Sequence, residues 1–315
     1  MIQTVRGLKE KRSLGNVLMH EHIGCISNDL LQTFGKEWID KENLISFASD
    51  ILKRLKDECD IGLFVDGTPI DLGRDAKMLL SVSEKSGVDI VASAGLYHFP
   101  AMYTINRSGK EIADWFIKEF EEGIEGTNIK PGILKVASQS FPITNDNKKR
   151  LIAMAIAQNE TKLPIYVHSE HIDFLANEQI SILCTYIKDT EKIIIGHAAL
   201  NPDEKYLEEI LDKGCYICMD QCHCVRHHTE KIGKALATLC KKGYSNKILL
   251  SNDMCIYSDF GCKESTGLEL SVRQQVENFK YIFTTIYESF LENGGNKKDW
   301  NKMFKENSIE VLDIK

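Results

Sequence analysis

The sequence predicts an α/β protein of the (β/α)8 barrel class, also called a TIM barrel, and three observations support this prediction. The chain has 315 residues, a length that is normal for one such barrel. Eight short apolar runs rich in β-branched residues have the composition of buried strands. The longer segments between these runs carry apolar residues at helical spacing. An open, doubly wound parallel sheet is the alternative architecture that this alternation allows.

The eight predicted strands alternate with longer helical stretches along the whole chain. They cover residues 17–22, 63–67, 90–94, 133–137, 165–168, 193–197, 216–219 and 248–251. Such alternation is typical of repeated parallel βα units. Eight units are the number that closes a barrel, which favours the barrel over the open sheet.

Amphipathic segments predict helices at 40–58, 114–126, 145–160 and 229–243. In the last of these, Ile232, Leu236 and Leu239 recur at helical spacing, and Gly243 is placed to end the helix as a C-cap. Residues 296–312 predict a terminal helical closure. Because no linker, low-complexity tract or internal repeat interrupts the pattern, residues 1–315 are expected to form one single barrel domain.

Composition and charge exclude several classes of protein. Apolar residues make up 43% of the chain and charged residues 27%, a balance that can bury a large core. The net charge of −7 argues against nucleic acid or an anionic membrane as the main partner. No run approaches the roughly 18–20 apolar residues of a membrane span. The start of the chain has no apolar signal region, which favours a cytoplasmic location.

Polar side chains end or interrupt several predicted strands, where they are costly to bury. The first strand ends with two histidines at positions i and i+2, which face the same side of a strand. Alone, such a pair could share a metal ion or could simply leave a core. Because barrel strands end at one mouth, six polar residues would converge there, and together they have the chemistry of a metal site. They are His20, His22, Lys135, His168, His197 and Asp253.

Lys135 is unusual in this set, because a protonated lysine repels cations. Burial beside divalent metal ions would lower its pKa, since desolvation and nearby positive charge both disfavour the ammonium. The neutral amine can then add CO2 and become a carbamate, a carboxylate-like ligand that is able to bridge two metal ions. The alternative is a buried lysine that is paired with an acid.

Several of these stretches together resemble the phosphotriesterase family of the amidohydrolase superfamily. The similarity runs from residue 3 to beyond residue 253 and covers nearly the whole chain. The matching stretches are "TVRG", "HEHI", "FVDGTPIDLGRD", "GLYHFP", "GIEGTNIKPGILKVAS", "IGH", "ILLSND" and the closing "ENSIEVL". The combination is specific, whereas a single piece such as the two histidines is not.

The resemblance implies a (β/α)8 barrel with a binuclear metal centre at the C-terminal mouth, and it suggests a homodimer. It implies that His20, His22 and Asp253 hold the buried ion, that His168 and His197 hold the more exposed ion, and that a carboxylated Lys135 and a hydroxide bridge them. Two cations lower the pKa of bound water enough to give hydroxide at neutral pH. Asp253 would be both a ligand and the catalytic base that accepts the proton. Zinc suits these ligands best, and Mn, Co or Fe are also accepted.

Departures from the family pattern concern the substrate. Leu200 stands where the family would place a relay aspartate, and Gln221 follows Asp220 where phosphotriesterases have histidine and related lactonases have arginine. Efficient hydrolysis of phosphotriesters is therefore in doubt. Tyr97 resembles the tyrosine that lactonase members place beside the metals, although it could also be a rim aromatic that only packs. A metal and a phenol could stabilise the oxyanion that forms when a lactone is attacked.

The leading hypothesis is therefore a metal-dependent hydrolase of small molecules, and acyl or sugar lactones are the favoured substrates. Hydrolysis of phosphotriesters or carboxylic esters at the same site is the alternative, and a barrel that binds a ligand without turnover is a third. Arg226 could bind an anionic group of the substrate, or it could be part of a solvated surface.

Ten cysteines occur in the chain, and without an export signal free thiols are expected. Four of them lie in "CYICMDQCHCVRHH", residues 215–228, where a separate zinc site is one interpretation. The spacing is not that of paired CxxC motifs. Cys215 and Cys218 also fall at opposite parity of the predicted seventh strand, which favours apolar thiols in a strand followed by a loop that shapes the pocket.

Overall fold

Eight parallel strands form a barrel at the centre of the protein in the computed structural model. The structure describes residues 1–11, 14–139, 142–170, 174–187, 189–260 and 268–314. The barrel strands are β3 (Asn16–Cys25), β4 (Ile61–Asp66), β5 (Asp89–Leu96), β6 (Ile133–Ser138), β7 (Ile165–Ser169), β8 (Ile193–Ile195), β9 (Tyr216–Met219) and β10 (Ile248–Leu250). All eight predicted strands are confirmed, with ends that shift by a few residues.

The barrel closes on its first strand. The strands from β3 to β10 pair in chain order, all of them parallel. An additional strand, β11 (Cys255–Ser258), pairs in parallel with the other edge of β3. Between β10 and β11, the Asp253 amide donates to the His20 carbonyl at 3.0 Å, and the His22 amide donates to the Met254 carbonyl at 2.9 Å. The eighth strand thus continues, after an interruption, into a strand that the sequence pattern does not predict.

Helices surround the barrel and connect its strands. They are α1 (Asn28–Phe34), α2 (Lys41–Cys59), α3 (Ala76–Ser86), α4 (Met102–Ile105), α5 (Gly109–Glu122), α6 (Asn145–Thr161), α7 (Leu175–Cys184), α8 (Glu204–Leu211), α9 (Thr229–Lys241), α10 (Val272–Phe279), α11 (Tyr287–Glu292), α12 (Lys297–Asn301) and α13 (Asn307–Val311). An antiparallel hairpin of β1 (Ile2–Thr4) and β2 (Gly7–Lys9) precedes the barrel and is another element that the sequence pattern does not predict.

Local sequence signals determine where several helices begin and end. Asp40 and Thr144 accept hydrogen bonds from the first-turn amides of α2 and α6, as N-caps do. Helix α5 begins at Gly109, earlier than predicted, because Ser108 and Glu111 form a reciprocal capping box. The C-cap of α9 is Lys242 rather than the predicted Gly243, which follows it with φ of +96°, in the left-handed region typical of the residue after a C-cap.

The alternation of side chains along the barrel strands creates two apolar cores. The inner core fills the barrel, and the outer core lies between the strands and the helices. The inner core contains, among others, Val17, Met19, Leu63, Val65, Val91, Ile133, Tyr166, Ile194, Tyr216, Cys218 and Leu249. Cys215 belongs to the outer core and Cys218 to the inner core, so these two thiols face opposite sides of β9.

The described part of the chain contains no helix with both the length and the apolar composition that a membrane crossing requires. Nine of the ten cysteines are described, and each of them is a free thiol. Cys262 lies outside the described residues.

A buried arginine connects the loop before α3 to two neighbouring elements. The guanidinium of Arg74 donates to both oxygens of Glu119, at 2.6 and 2.9 Å, to Glu125 at 2.9 Å and to the Ser93 carbonyl at 2.9 Å. Its side chain is 1% exposed, whereas the side chains of Glu119 and Glu125 are 17% and 33% exposed. The charge of the buried guanidinium is therefore compensated. Removal of the Arg74 side chain would leave Glu119 and Glu125 without this cation.

We expect the substitution Arg74→Ala to lower the free energy of unfolding by about 3 kcal/mol, because two partly buried carboxylates lose their partner. Unfolding in guanidinium chloride measures this loss. The control is Arg54→Ala, which removes an exposed pair with Glu58 on α2 and should leave the midpoint nearly unchanged. Equal midpoints for the two variants would contradict the structural role of Arg74.

Candidate metal centre

The alternation of side chains that fills the inner core continues to the C-terminal ends of the strands. There it brings polar side chains to the mouth of the barrel. On three strands, a residue of the inner core is followed two positions later by a polar side chain on the same face. These pairs are Ile133 with Lys135, Tyr166 with His168, and Cys218 with Asp220. Lys135 and His168 are buried, with 1% and 6% exposure, and Asp220 is fully buried.

The two histidines of β3 reach the same space through an irregularity in the strand. The pairing of β3 with β4 shifts register between Leu18 and Glu21, just where His20 lies. The rings of His20 and His22 have centroids 5.1 Å apart. At Gly67 a Cβ atom would lie 2.5 Å from His20 Cδ2, so the lack of a side chain there lets the ring occupy its position.

The carboxylate of Asp220 fixes the orientation of two rings. His20 Nδ1 and His197 Nδ1 lie 3.0 and 2.9 Å from its two oxygens, and the Tyr166 hydroxyl donates to the same group. Burial opposes ionisation of Asp220, but the hydrogen bonds from the rings of His197 and His20 outweigh burial and hold its pKa below the usual value. Since each Nδ1 faces Asp220, each Nε2 faces away from it.

The Nε2 atoms of these rings meet the remaining polar side chains. His20 Nε2 lies 2.6 Å from Lys135 Nζ, and His197 Nε2 lies 2.7 Å from His168 Nδ1. Burial lowers the pKa of His20 to about 3 and that of Lys135 to about 8, and it also lowers the pKa of His168 well below its usual value. The neutral imidazole is the form that binds metal ions, so His20 and His168 have lone pairs to offer.

Asp253 is held at the centre by a buried clamp around Glu21. The carboxylate of Glu21 accepts from the Ser251 hydroxyl at 2.7 Å and from the amides of Asn252 and Met254 at 2.8 and 2.7 Å. These bonds fix the residues on both sides of Asp253, whose backbone has φ of +57°. Residues other than glycine adopt this conformation infrequently, although aspartate does so more often than most, and the hydrogen bonds of Glu21 to both neighbours stabilise it at Asp253.

The two oxygens of Asp253 have different neighbours. Oδ1 lies 3.2 Å from His22 Nε2, whereas Oδ2 accepts a hydrogen bond from Gln221 Nε2 at 2.6 Å. One oxygen thus faces the histidines of β3, and the other faces the loop after β9.

The six polar residues that the sequence singled out therefore surround one space at the barrel mouth. Donor atoms of His20, His22 and Asp253 all lie within 4.8 Å of one another, and those of His20, His197 and Asp220 do as well. The first group is the ligand set predicted for the buried ion. Imidazole nitrogens with a carboxylate oxygen fit a divalent ion such as zinc, and the carboxylate that fixes two of the rings is a usual support of such sites.

A cavity of about 200 Å³ opens above this space, and Tyr97 lies in its wall beside His22, Lys135 and His168. The Tyr97 hydroxyl is 3.4 Å from His168 Nδ1. Burial raises the pKa of this hydroxyl, so it remains a neutral hydrogen-bond donor. The Tyr97 amide donates to Asp71 at 2.7 Å, which fixes the backbone of the residue.

Two other candidates from the sequence lie away from this cavity. Arg226 is exposed, its guanidinium stacks over the Tyr281 ring at 5.0 Å, and it is absent from the described lining of the cavity. Its role in substrate binding stays a prediction. The group Cys215, Cys218, Cys222 and Cys224 contributes to none of the possible metal groups found among the described residues.

Sequence reasoning missed three supporting residues, Asp220, Glu21 and Thr68. From the sequence, Asp220 is named only for its place in a family pattern, and no role is assigned to Glu21. A signal was present for Asp220 and Glu21, because each is a carboxylate directly beside or within a buried strand, where an unpaired acid is costly. Thr68, whose hydroxyl lies 2.8 Å from His22 Nδ1, carries no signal of this kind.

Comparisons with known proteins agree with this geometry. The model of the phosphotriesterase family matches residues 1–312. An aryldialkylphosphatase from Saccharolobus solfataricus is 32% identical over 302 residues, which is 95% of either chain. An N-acetyltaurine hydrolase from Xenopus tropicalis is 28% identical over 356 aligned positions, covering 100% of this chain and 98% of the relative. The solved structure of the phosphotriesterase from Mycobacterium tuberculosis superposes with a TM-score of 0.89 at 27% identity, covering 99% and 98% of the two chains.

We expect Asp220→Asn to weaken the binding of divalent cations by about 10- to 100-fold, because His20 and His197 lose the charged acceptor that orients them. Metal content after dialysis against a weak chelator measures this effect. The control is Asp114→Asn on the exposed face of α5, which should retain as much metal as the unaltered protein. Full metal retention by Asp220→Asn would show that the orientation of the two rings does not depend on this carboxylate.

Proposed function

Because the chain belongs to the phosphotriesterase family, we propose that this hydrolase opens lactones at a centre of two divalent metal ions. The observation that carries the proposal is the convergence of four histidines, Lys135 and Asp253 on one space beneath an open cavity. The third hypothesis, a barrel that binds a ligand without turnover, is weaker because the donor set is complete.

In this proposal each ion has its own ligands. His20, His22 and Asp253 would hold the buried ion, His168 and His197 would hold the outer ion, and Lys135, as a carbamate, would be a ligand shared by both. Zinc is the first choice, with Mn, Co and Fe as alternatives. When bound, the ions polarise the scissile carbonyl and lower the pKa of water.

The carbamate requires an uncharged amine. Lys135 Nζ adds to the carbon of CO2 and releases one proton, which gives an anionic group with two oxygens. Burial favours this reaction, since it lowers the pKa of Lys135 to about 8. The alternative, a buried lysine paired with an acid, has less support, because Lys135 Nζ lies 2.6 Å from His20 Nε2 and forms no ion pair with a carboxylate of the described residues.

Asp253 is the proposed base, and its two carboxylate oxygens have different roles. Oδ1 faces His22 and serves as a ligand, while Oδ2 takes the proton from the attacking water. Gln221 Nε2 donates to Oδ2 at 2.6 Å and orients it. Because an amide nitrogen of this kind accepts no proton, Gln221 cannot carry the proton outward as a histidine could.

Tyr97 and the size of the cavity favour a small cyclic ester. The neutral phenol of Tyr97 can donate to the oxyanion that forms as the planar ester becomes tetrahedral. The cavity of about 200 Å³ is open to solvent, with Phe99 and Phe260 in its wall as apolar surface for an acyl chain or a ring.

Hydrolysis of phosphotriesters or of open-chain carboxylic esters is the second candidate. The name of the 32% identical relative, aryldialkylphosphatase, favours the phosphotriester. Other relatives are named as N-acetyltaurine hydrolases, and the bond in that name is an amide rather than an ester. Gln221 and Leu200 argue against the phosphotriester, since neither can relay a proton.

The chain is further proposed to form one domain, residues 1–315. Its two ends meet, because the Met1 amino group lies 2.5 Å from Asp313 and the Ile314 amide donates to the Met1 carbonyl. A homodimer and a cytoplasmic location remain predictions from the resemblance and from the composition.

We expect Lys135→Ala to lose both metal ions and nearly all hydrolysis, because the bridging carbamate cannot form. Metal analysis and lactone turnover are measured on the same preparation, and circular dichroism checks that the barrel is intact. The control is Lys118→Ala, which alters an exposed side chain of α5. Full activity of Lys135→Ala would overturn the carbamate bridge.

We expect the metal-loaded protein to release protons faster from one class of lactone than from paraoxon, in a panel that includes acyl and sugar lactones. Tyr97→Phe should lower lactone kcat about tenfold, the value of one lost hydrogen bond in the transition state. A chelator-treated sample is the control. Faster turnover of paraoxon would make the phosphotriester the substrate, and activity on neither class would discard the lactone.

A further inference from the structure

Two cysteines that the proposed reaction does not use lie at the mouth of the barrel. Cys25 ends β3 and is buried, and Cys255 begins β11 and is partly exposed. Their Sγ atoms are 3.7 Å apart, although 230 positions separate them along the chain. Both side chains line the same cavity as His22, so a small solute in the cavity can reach them.

The separation of the two sulfur atoms fits two thiolates on one cation. In a tetrahedral site with metal–sulfur bonds of about 2.3 Å, two sulfur ligands lie about 3.8 Å apart. A disulfide would require the sulfur atoms to approach to about 2.0 Å. The two strands therefore hold the thiols at the spacing of a chelate.

A ring nitrogen of His22 completes the group. One donor atom from each of His22, Cys25 and Cys255 lies within 4.8 Å of the other two. The His22 ring is held by the Thr68 hydroxyl, 2.8 Å from its Nδ1. Two sulfur atoms and one ring nitrogen supply three positions of a tetrahedral site, and a water from the cavity can fill the fourth.

We propose that Cys25, Cys255 and His22 form a further cation site, selective for thiophilic divalent ions, at the wall of the substrate cavity. Each thiol releases its proton to water when the ion binds. Of the possible metal groups in the described part of the chain, this one alone contains thiols, and the other two offer only nitrogen and oxygen. Because sulfur donors are softer than nitrogen and oxygen donors, this site is expected to prefer thiophilic ions over those that the other two groups bind.

Occupancy of this site has a consequence for hydrolysis. His22 belongs both to the thiol group and to the group with His20 and Asp253. Because its Nδ1 faces Thr68, the ring has one nitrogen left for a metal, so a thiophilic ion on the cysteines competes for His22 with the buried ion of the hydrolytic centre. Such ions are expected to inhibit the enzyme, although the binding itself rests only on the contacts above and not on the proposed function.

The test is a titration of the reduced, full-length protein, with its metals as isolated, with Cd2+. Binding is followed by the ultraviolet charge-transfer absorbance of cadmium–thiolate bonds, which does not depend on activity. We expect saturation at one Cd2+ per chain. Cys25→Ser and Cys255→Ser should each weaken this binding about 100-fold or more, because a direct ligand is lost.

Cys184→Ser is the matched control, since Cys184 is an exposed thiol at the end of α7, and it should keep the absorbance. If Cys25→Ser fails to fold, as circular dichroism would reveal, the partly exposed Cys255 still provides the test. Unchanged Cd2+ affinity in a folded Cys255→Ser variant would overturn the site. Cadmium binding without lactone turnover would keep the site and overturn the proposed function, and the reverse result would do the opposite.

Discussion

The buried carboxylate of Asp220 is the interaction on which the rest of the site depends. It lies just past the end of β9 and binds side chains from β3, β7 and β8, so four strands are joined at one charged group. An isolated buried carboxylate would be strongly unfavourable, and three donors compensate this one. Because it occupies the Nδ1 side of His20 and His197, the lone pairs of both rings are turned to the same space before any cation arrives. The protein thereby orders its ligands during folding rather than during binding.

The sequence predicts the parts of this architecture that depend on local periodicity. Alternation with period two places Lys135 and His168 above Ile133 and Tyr166, and helical spacing predicts α9. It does not predict the register shift between β3 and β4 or the strand β11, because both depend on pairing between strands that are distant in the chain. The hydrogen bonds that Glu21 accepts from the residues around Asp253 join positions more than 200 apart. A local pattern holds no information about which strand edge is left for the last strand to occupy.

The cysteines illustrate the same limit from the opposite direction. Four of them lie close together in residues 215–228, but β9 turns Cys215 to the outer core and Cys218 to the inner core. Residues that are close in the chain are thus separated in space. Cys25 and Cys255 have no relation in the sequence, yet the pairing of β11 with β3 brings their sulfur atoms to 3.7 Å. Closing the barrel is therefore what creates a pair of thiols.

Gln221 connects the geometry to the choice of substrate. Its amide donates to Asp253 Oδ2 and accepts no proton there, so a proton taken up by this oxygen has no route through residue 221. In the proposed reaction, the aryl group of a phosphotriester leaves as a stable phenolate, so the proton taken up by Asp253 must be exported. The leaving alkoxide of a lactone needs a proton and remains tethered to the product, so Asp253 can return its proton within the same turnover, as general acid–base catalysis allows. The proton released when the next water is activated is common to both reactions. The lactone thus requires one proton fewer to be exported per turnover, and a site without a relay at residue 221 favours it over the phosphotriester.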